Sequence, residues 1–317
     1  MYNLVYMAKP IYGGWVTYTA HMSLKYDYPI YKIGKRSEKN SREFGYMTRY
    51  QNLCIEEIIE KEHLMIVALD KHYYEYLKYF PKGTRLVIHD PTELKNKENP
   101  LIRDKLIDNF NIITIRQTVK DYLLKTFNIN STFQTHPFYR YEKNKDSMNN
   151  YAVSISRIDF DKNTDIICRC NNIIEYEDKC VKIFGKENRL YVHHKLKDLN
   201  FKDYWYGSYP KNLPMTYDTG KGEKNNLDIL KDCKFMVDLS TIKDDGGGTQ
   251  YTFLEAIYND CILVLHREWI DKGTLFVEDD NCLAVKDEYE LRDILLGIRE
   301  YDKKKIVGNA RKILEDH

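Results

Sequence analysis

Short apolar runs of about four to six residues recur along this chain, each followed by a stretch with helical periodicity, and this alternation restricts the fold more than any other feature. Asn3–Ala8, Leu64–Leu69, Arg85–His89 and Asn111–Ile115 read as strands in the first half. The stretches Val16–Leu24, Leu53–Lys61, His72–Tyr79, Ile102–Asp108 and Val119–Phe127 read as helices between or after them. A second series starts at Tyr151, with strands expected at Ala152–Ile155, Cys180–Phe184, Phe235–Leu239, Ile262–Leu265 and Cys282–Val285. Its helices fit Thr164–Asn172, Leu227–Asp232, Tyr251–Tyr258 and Glu288–Tyr301. Uninterrupted apolar runs suit strands covered on both faces, so the pattern predicts an α/β fold with parallel sheets.

At 317 residues the chain exceeds one ordinary α/β core and suits two domains of about 150 residues each. The polar, aperiodic segment Tyr139–Asn150 marks the linker, which gives an N-terminal domain over 1–145 and a C-terminal domain over 146–317. Two such domains imply a cleft. A hydrophobic share of 43% supplies packed cores and argues against disorder. No run reaches the roughly 18 apolar residues of a membrane span, and the start MYNLVYMAKP lacks the features of a signal peptide. A cytoplasmic protein without a membrane partner is the expectation. The seven cysteines are odd in number and scattered, which disfavours a disulfide framework. Cys168 and Cys170, a C-x-C on a helix, point to different faces and make a poor metal site.

Charge is distributed unevenly. Residues 1–145 hold 23 Lys and Arg against 16 Asp and Glu, whereas residues 146–317 hold 26 against 32. A basic first half fits a polyanionic partner, and equally fits a feature that only aids solubility. Lys32 to Tyr50 reads as a basic, aromatic loop, with Lys35, Arg36, Arg42, Tyr46 and Arg49 as candidate contacts to such a partner. Gly13-Gly14 stands between a strand and a helix, where backbone amides at the helix start can face a bound group.

Two segments of the second half carry recognisable chemistry. In SRIDFDKN, Arg157 and Lys162 lie between a strand end and a helix, a place where two cations can hold a diphosphate. A charged surface turn is the plainer reading. The same run contains the Asp-x-Asp of Asp159 and Asp161; with two cations already present for the phosphates, no metal is expected there. In STIKDDGGGTQYTFLEA, a glycine-rich loop opens a helix that bears Glu255. Gly247, Gly248, Thr249, Gln250 and Tyr251 can approach a ligand at that helix start. Glu255 can accept hydrogen bonds from vicinal hydroxyls such as those of a ribose, or be a buried structural glutamate. His89 and Asp90 follow an apolar strand and precede Pro91, the position where sheets of this class place function, although an Asp-Pro turn accounts for them too.

With those residues in view, the second half resembles the C-terminal domain of retaining GT-B glycosyltransferases. Arg157, Lys162 and Glu255-Ala256 match that family's donor-site pattern, while its first glutamate falls at Gly247. Asp244 or Asp245 is the candidate replacement. A narrower resemblance, to the DNA α-glucosyltransferases of T-even bacteriophages, rests on YMAKPIYGGWVT (6–17), VIHDPTEL (87–94) and YTFLEA (251–256). The resemblance implies two Rossmann-like domains facing across a cleft, an N-terminal acceptor domain and a C-terminal nucleotide-sugar domain. It implies retaining transfer from a UDP-sugar to the hydroxymethyl group of a modified cytosine in double-stranded DNA, in host cytoplasm, with no cofactor beyond the donor. Asp90 then matches the base and His89 a sugar or acceptor contact, while Arg157 and Lys162 neutralise the departing diphosphate. A saccharide, lipid-linked sugar or protein hydroxyl as acceptor, and a non-catalytic nucleotide- or nucleic-acid-binding protein, are the alternatives.

Overall fold

A computed structural model describes residues 1–9, 13–34, 41–45, 47–90, 94, 99–142, 151–207, 229–231, 233–242, 250–272 and 274–317. The first half forms one sheet from β1 (Asn3–Met7), β2 (Ile30–Ile33), β3 (Ser41–Gly45), β4 (Thr48–Leu53), β5 (Leu64–Leu69), β6 (Thr84–Ile88), β7 (Phe110–Thr114) and β8 (Thr132–Phe133). Their order is β3-β4-β2-β1-β5-β6-β7-β8. Every neighbouring pair is parallel except β3 and β4. The second half builds β9 (Ala152–Ile155), β10 (Val181–Phe184), β11 (Phe235–Asp238), β12 (Ile262–His266) and β13 (Leu283–Val285). These make a parallel sheet ordered β10-β9-β11-β12-β13.

Alternation along each strand sends side chains into two cores per sheet. Val5, Met7, Ile66 and Leu86 pack on one face of the first sheet, and Leu4, Tyr6, Val67 and Val87 pack on the other. In the second, Val153, Ile155 and Met236 face one way, and Ala152, Phe235 and Val237 the other. All six residues of β5 are buried, which is why it reads as a continuous apolar run.

The stretch Lys32–Tyr50 is not simply a loop. It contributes the end of β2, all of β3 and the start of β4. In β4, Thr48 and Tyr50 are buried while Arg49 is exposed, and four of its six residues, Thr48, Arg49, Gln51 and Asn52, are polar, so the strand looks like a loop in sequence. The helix expected over Glu288–Tyr301 is shorter than expected. It runs from Glu288 to Leu295 and stops where Gly297 takes φ 74°. There Gly297 N–H bonds Ile294 O, and Ile298 N–H bonds Asp293 O, a glycine stop that leaves Lys303–Ile313 as a separate helix.

Six helices matter below: α1 (Gly14–Tyr26), α2 (Gln117–Phe127), α3 (Thr164–Ile173), α4 (Tyr251–Tyr258), α5 (Glu288–Leu295) and α6 (Lys303–Ile313). The boundary at 145/146 lies outside the described residues. Chain on its N-terminal side is anchored, since Phe138 and Tyr141 join the second half's core alongside Ala310 and Leu314. The end of the chain returns to the first half. His317 Nδ1 donates to His136 O at 2.9 Å, and Lys25 Nζ donates to His317 O at 2.5 Å.

Candidate active site

The loop after β9 is braced from both sides. Ile158 N–H donates to Lys186 O at 3.0 Å and Asn188 N–H donates to Ile158 O at 2.9 Å, fastening it to the loop after β10. On the other side, Thr241 N–H donates to Asp161 O at 2.9 Å, and Asn163 Nδ2 donates to Leu239 O at 2.9 Å. Gly185 sits at the tightest contact: a Cβ there would lie 1.7 Å from Ser156 O, and its φ of 153° disfavours any other residue. Strand order reverses around β9, with β10 on one side and β11 on the other. In open parallel sheets the crevice at such a reversal is where ligands bind.

Arg157 and Lys162 both project from this loop. The Arg157 side chain is 62% exposed, with Nη1 3.2 Å from Asp159 and Nη2 3.7 Å from Asp161. Lys162 is 13% exposed, 4.0 Å from Asp161. Asn188 Nδ2 also donates to Asp159, at 2.9 Å. The Asp-x-Asp carboxylates thus face protein cations and amides. A pocket of about 180 Å³ lined by Arg157, Ile158, Asp159, Lys186, Glu187 and Asn188 opens beside them. Exposed ion pairs contribute only about 0–1 kcal/mol, so a phosphate can draw the guanidinium away from Asp159 at small cost.

Gly247, Gly248, Thr249, Asp244 and Asp245 lie outside the described residues. Immediately after them, Gln250 is the extended cap of α4. Glu255 is 1% exposed, on a helix whose Phe253, Leu254, Ala256 and Ile257 are also buried. Tyr251 is committed to the seam between the halves. Its ring stacks on His21 of α1 at 4.7 Å and meets His136 edge-on at 5.3 Å, and its hydroxyl donates to Pro137 O at 3.0 Å. Sequence reading passed over Asp238, which ends β11 2% exposed. Its Oδ1 accepts from Ser240 N–H at 2.9 Å and from the Ser240 hydroxyl, while Oδ2 is buried without a partner. The available signal was an acid closing an otherwise apolar strand.

On the first sheet, β1 leads into Gly13, whose φ of 90° and ψ of −171° cap α1. A Cβ at Gly13 or Gly14 would meet open space. His89 follows β6, 8% exposed, with Tyr18 edge-on at 4.9 Å. Its Nε2 lies 2.8 Å from Val67 O. Because a carbonyl only accepts, Nε2 carries the proton and Nδ1 the lone pair. Burial first, and the nearby charge of Arg116 as well, lower its pKa to about 4, so the ring is neutral at pH 7. Asp90, next along, is half-buried.

Lys35, Arg36 and Tyr46 lie outside the described residues. Arg42 and Arg49 are exposed on the β3–β4 hairpin, with Arg49 donating to Ser41 Oγ and O at 3.0 and 2.7 Å. The structure does not bring them to His89 and Asp90: β2, β1 and β5 lie between β4 and β6, and β4 as well for Arg42, separations of about 19 Å for Arg49 and about 24 Å for Arg42 at the usual strand spacing. Lys32 is different. It is buried, Nζ donates to Ala8 O at 2.9 Å and lies over the rings of Tyr6 and Tyr50, and burial pushes its pKa down to about 8. Among the described residues no helix is long and apolar enough to cross a membrane.

No protein-family model matches the chain, and no curated protein matches its sequence. Solved structures do match over nearly its whole length. Anabaena HepE with UDP and glucose superposes at TM-score 0.64 and 14% identity, covering 99% of this chain and 95% of that one. An α-glucosyltransferase in complex with UDP and a 13-mer DNA gives TM-score 0.63 and 14% identity, covering 98% and 95%. The lipopolysaccharide outer core galactosyltransferase WaaB gives 0.55 and 12%, covering 99% and 96%. Two α/β sheets, parallel but for the β3–β4 pair and with their order reversals at β1 and β9, superposing on these enzymes over nearly their whole length, identify the chain as having the GT-B glycosyltransferase fold.

Proposed function

We propose that this protein is a retaining glycosyltransferase that moves a sugar from a UDP-sugar to a hydroxyl acceptor, the hydroxymethyl group of a modified cytosine in double-stranded DNA. The observation that carries the donor half is the braced loop at the β9 reversal, which bears Arg157 and Lys162 and sets Arg157 in the wall of an open pocket. Structures that superpose on the chain hold UDP, UDP-glucose, or UDP with DNA. The two cations oppose the charge that develops on the diphosphate as the anomeric carbon–oxygen bond breaks, and so supply electrostatic stabilisation where it is needed. Asp159 and Asp161, facing Arg157, Lys162 and Asn188, fit a metal-independent site better than a metal site. Asp238 or Glu255, both buried acids of this half, supplies the acceptor for sugar or ribose hydroxyls.

On the other side, Asp90 takes the proton of the acceptor hydroxyl as its oxygen bonds to the anomeric carbon. Neutral His89, its tautomer fixed by Val67, offers Nδ1 as a hydrogen-bond acceptor. A duplex bound here with its target base extruded can reach Asp90 while Arg42 and Arg49 meet its backbone. No membrane partner enters this reading, which suits a cytoplasmic enzyme.

Incubation with UDP-sugars and hydroxymethylated duplex DNA, read by mass spectrometry of the nucleosides, tests it. Glycosylated hydroxymethylcytosine is the expected product. Transfer to a saccharide and none to DNA would assign the fold to glycan synthesis, and binding of UDP without hydrolysis or transfer would leave a non-catalytic nucleotide-binding protein.

A further inference from the structure

Arg116 follows β7 and caps α2 without a side-chain capping bond. Its neighbour in the sheet is β6, with Ile88 opposite Thr114. Two residues beyond each, Asp90 and Arg116 stand at the same level past the C-terminal edge of the sheet. The guanidinium is close enough to His89 and His136 for its charge to disfavour protonation of both. Its Nε is buried with no hydrogen-bond partner, and no carboxylate lies within ion-pair distance among the described residues. Arginine is not normally left so. Arg267 and Arg299, half-buried as well, each hold Glu278, at 2.7 and 2.9 Å. A partly desolvated guanidinium without an anion of its own suits a site whose anion arrives with a ligand.

We infer that Arg116 binds a phosphate of the acceptor strand beside the reacting hydroxyl, so that the ends of β6 and β7 form one subsite in which Asp90 receives the proton and Arg116 fixes the strand. The inference rests on the DNA-acceptor reading above. An acceptor phosphate is favoured over the donor diphosphate because Arg116 belongs to the first sheet, in the half with surplus positive charge, whereas the braced loop of the second sheet already presents two cations. A neutral saccharide would leave the guanidinium without a counter-charge. The planar fork matches two phosphate oxygens, which a lysine cannot reproduce.

The test uses the full chain, hydroxymethylated duplex and UDP-sugar, with Arg116→Ala, Arg116→Gln and Arg116→Lys. Gln keeps most of the side-chain stem, so it stands in if Ala fails to fold. Loss of one phosphate contact lowers the slope of log K against log salt by about 0.9. Accordingly, Ala and Gln should lower that slope by this amount and raise KM for DNA about tenfold or more, with UDP affinity unchanged. Lys should recover the slope but only part of KM. An unchanged slope and KM in Arg116→Gln, with wild-type protein active on DNA, overturns the inference. So does a loss of UDP affinity at unchanged slope, which would give Arg116 to the donor. If the wild-type protein itself neither binds nor modifies DNA, the acceptor reading fails and this inference falls with it.

Discussion

The ring of Tyr251 stacks on the imidazole of His21 with centroids 4.7 Å apart and planes 18° from parallel. One belongs to the helix that follows the glycine-rich segment of the second half, the other to the helix that follows the Gly13-Gly14 turn of the first. The contact therefore ties the start of α4 to the middle of α1. Tyr251→Phe removes the bond to Pro137 O but keeps the stack, and should cost about 1 kcal/mol. Tyr251→Ala should cost about 2–4 kcal/mol, since ring burial and stacking go together. Urea denaturation of the two variants separates these contributions.

Acid should loosen the same seam. His21 has a pKa lowered to about 3 and His89 to about 4, both chiefly by burial, and His136 is lowered too. A histidine whose folded value lies below its unfolded one contributes full stability above about pH 6.5, and that contribution falls as pH drops toward the folded value. Between pH 7 and pH 5 each of His21 and His89 should account for about 2 kcal/mol of lost stability. Urea midpoints across this range should fall steeply, and His21→Phe should flatten the dependence by roughly one histidine's share.

Gly185 is predicted to be irreplaceable. A methyl group 1.7 Å from Ser156 O forces the loops after β9 and β10 apart. Gly185→Ala should cost about 2–5 kcal/mol and weaken UDP binding, because Arg157 is carried by the displaced loop. Calorimetry of UDP binding beside a thermal melt would show both effects, whereas a stable protein with intact affinity would mean the approach is not needed.

Arg157 and Asp159 should respond in opposite senses. Their ion pair is exposed, so Asp159→Asn is expected to change stability by less than about 1 kcal/mol. It should leave UDP affinity equal or higher, since the guanidinium no longer divides its interactions. On the proposed role of its charge at the leaving diphosphate, Arg157→Ala should reduce kcat/KM by about 100-fold or more, with little change in thermal stability. Dependence of wild-type turnover on manganese, abolished in Asp159→Asn, would instead make these aspartates metal ligands.

How far the sequence reached can be seen in particular elements. Leu64–Leu69 appears in the structure with the bounds its six apolar residues suggested, and Tyr251–Tyr258 likewise. Burial on both faces of a central strand leaves a mark in local composition that no neighbour needs to supply. A strand rich in polar residues leaves none: Thr48–Leu53 is a strand because Ile30–Ile33 and Ser41–Gly45 pair with it. Arg157 and Lys162 were legible as cations at a strand end. That Asp159 and Asp161 would meet them, and that Gly185 would lie against Ser156, depended on loops brought together by sheet order.

The sequence by itself determined two α/β series and the positions of their central strands, because covering both faces of a strand demands an apolar run wherever it lies. It also placed His89, Asp90 and Arg157 at strand ends, since strand boundaries are local. Only the tertiary structure decided which ends stand side by side. Parallel strands are joined through distant chain, so the placing of Asp90 and Arg116 beyond the ends of neighbouring strands, the bracing of the Arg157 loop and the stack of Tyr251 on His21 are set by strand order and packing, which no local segment encodes.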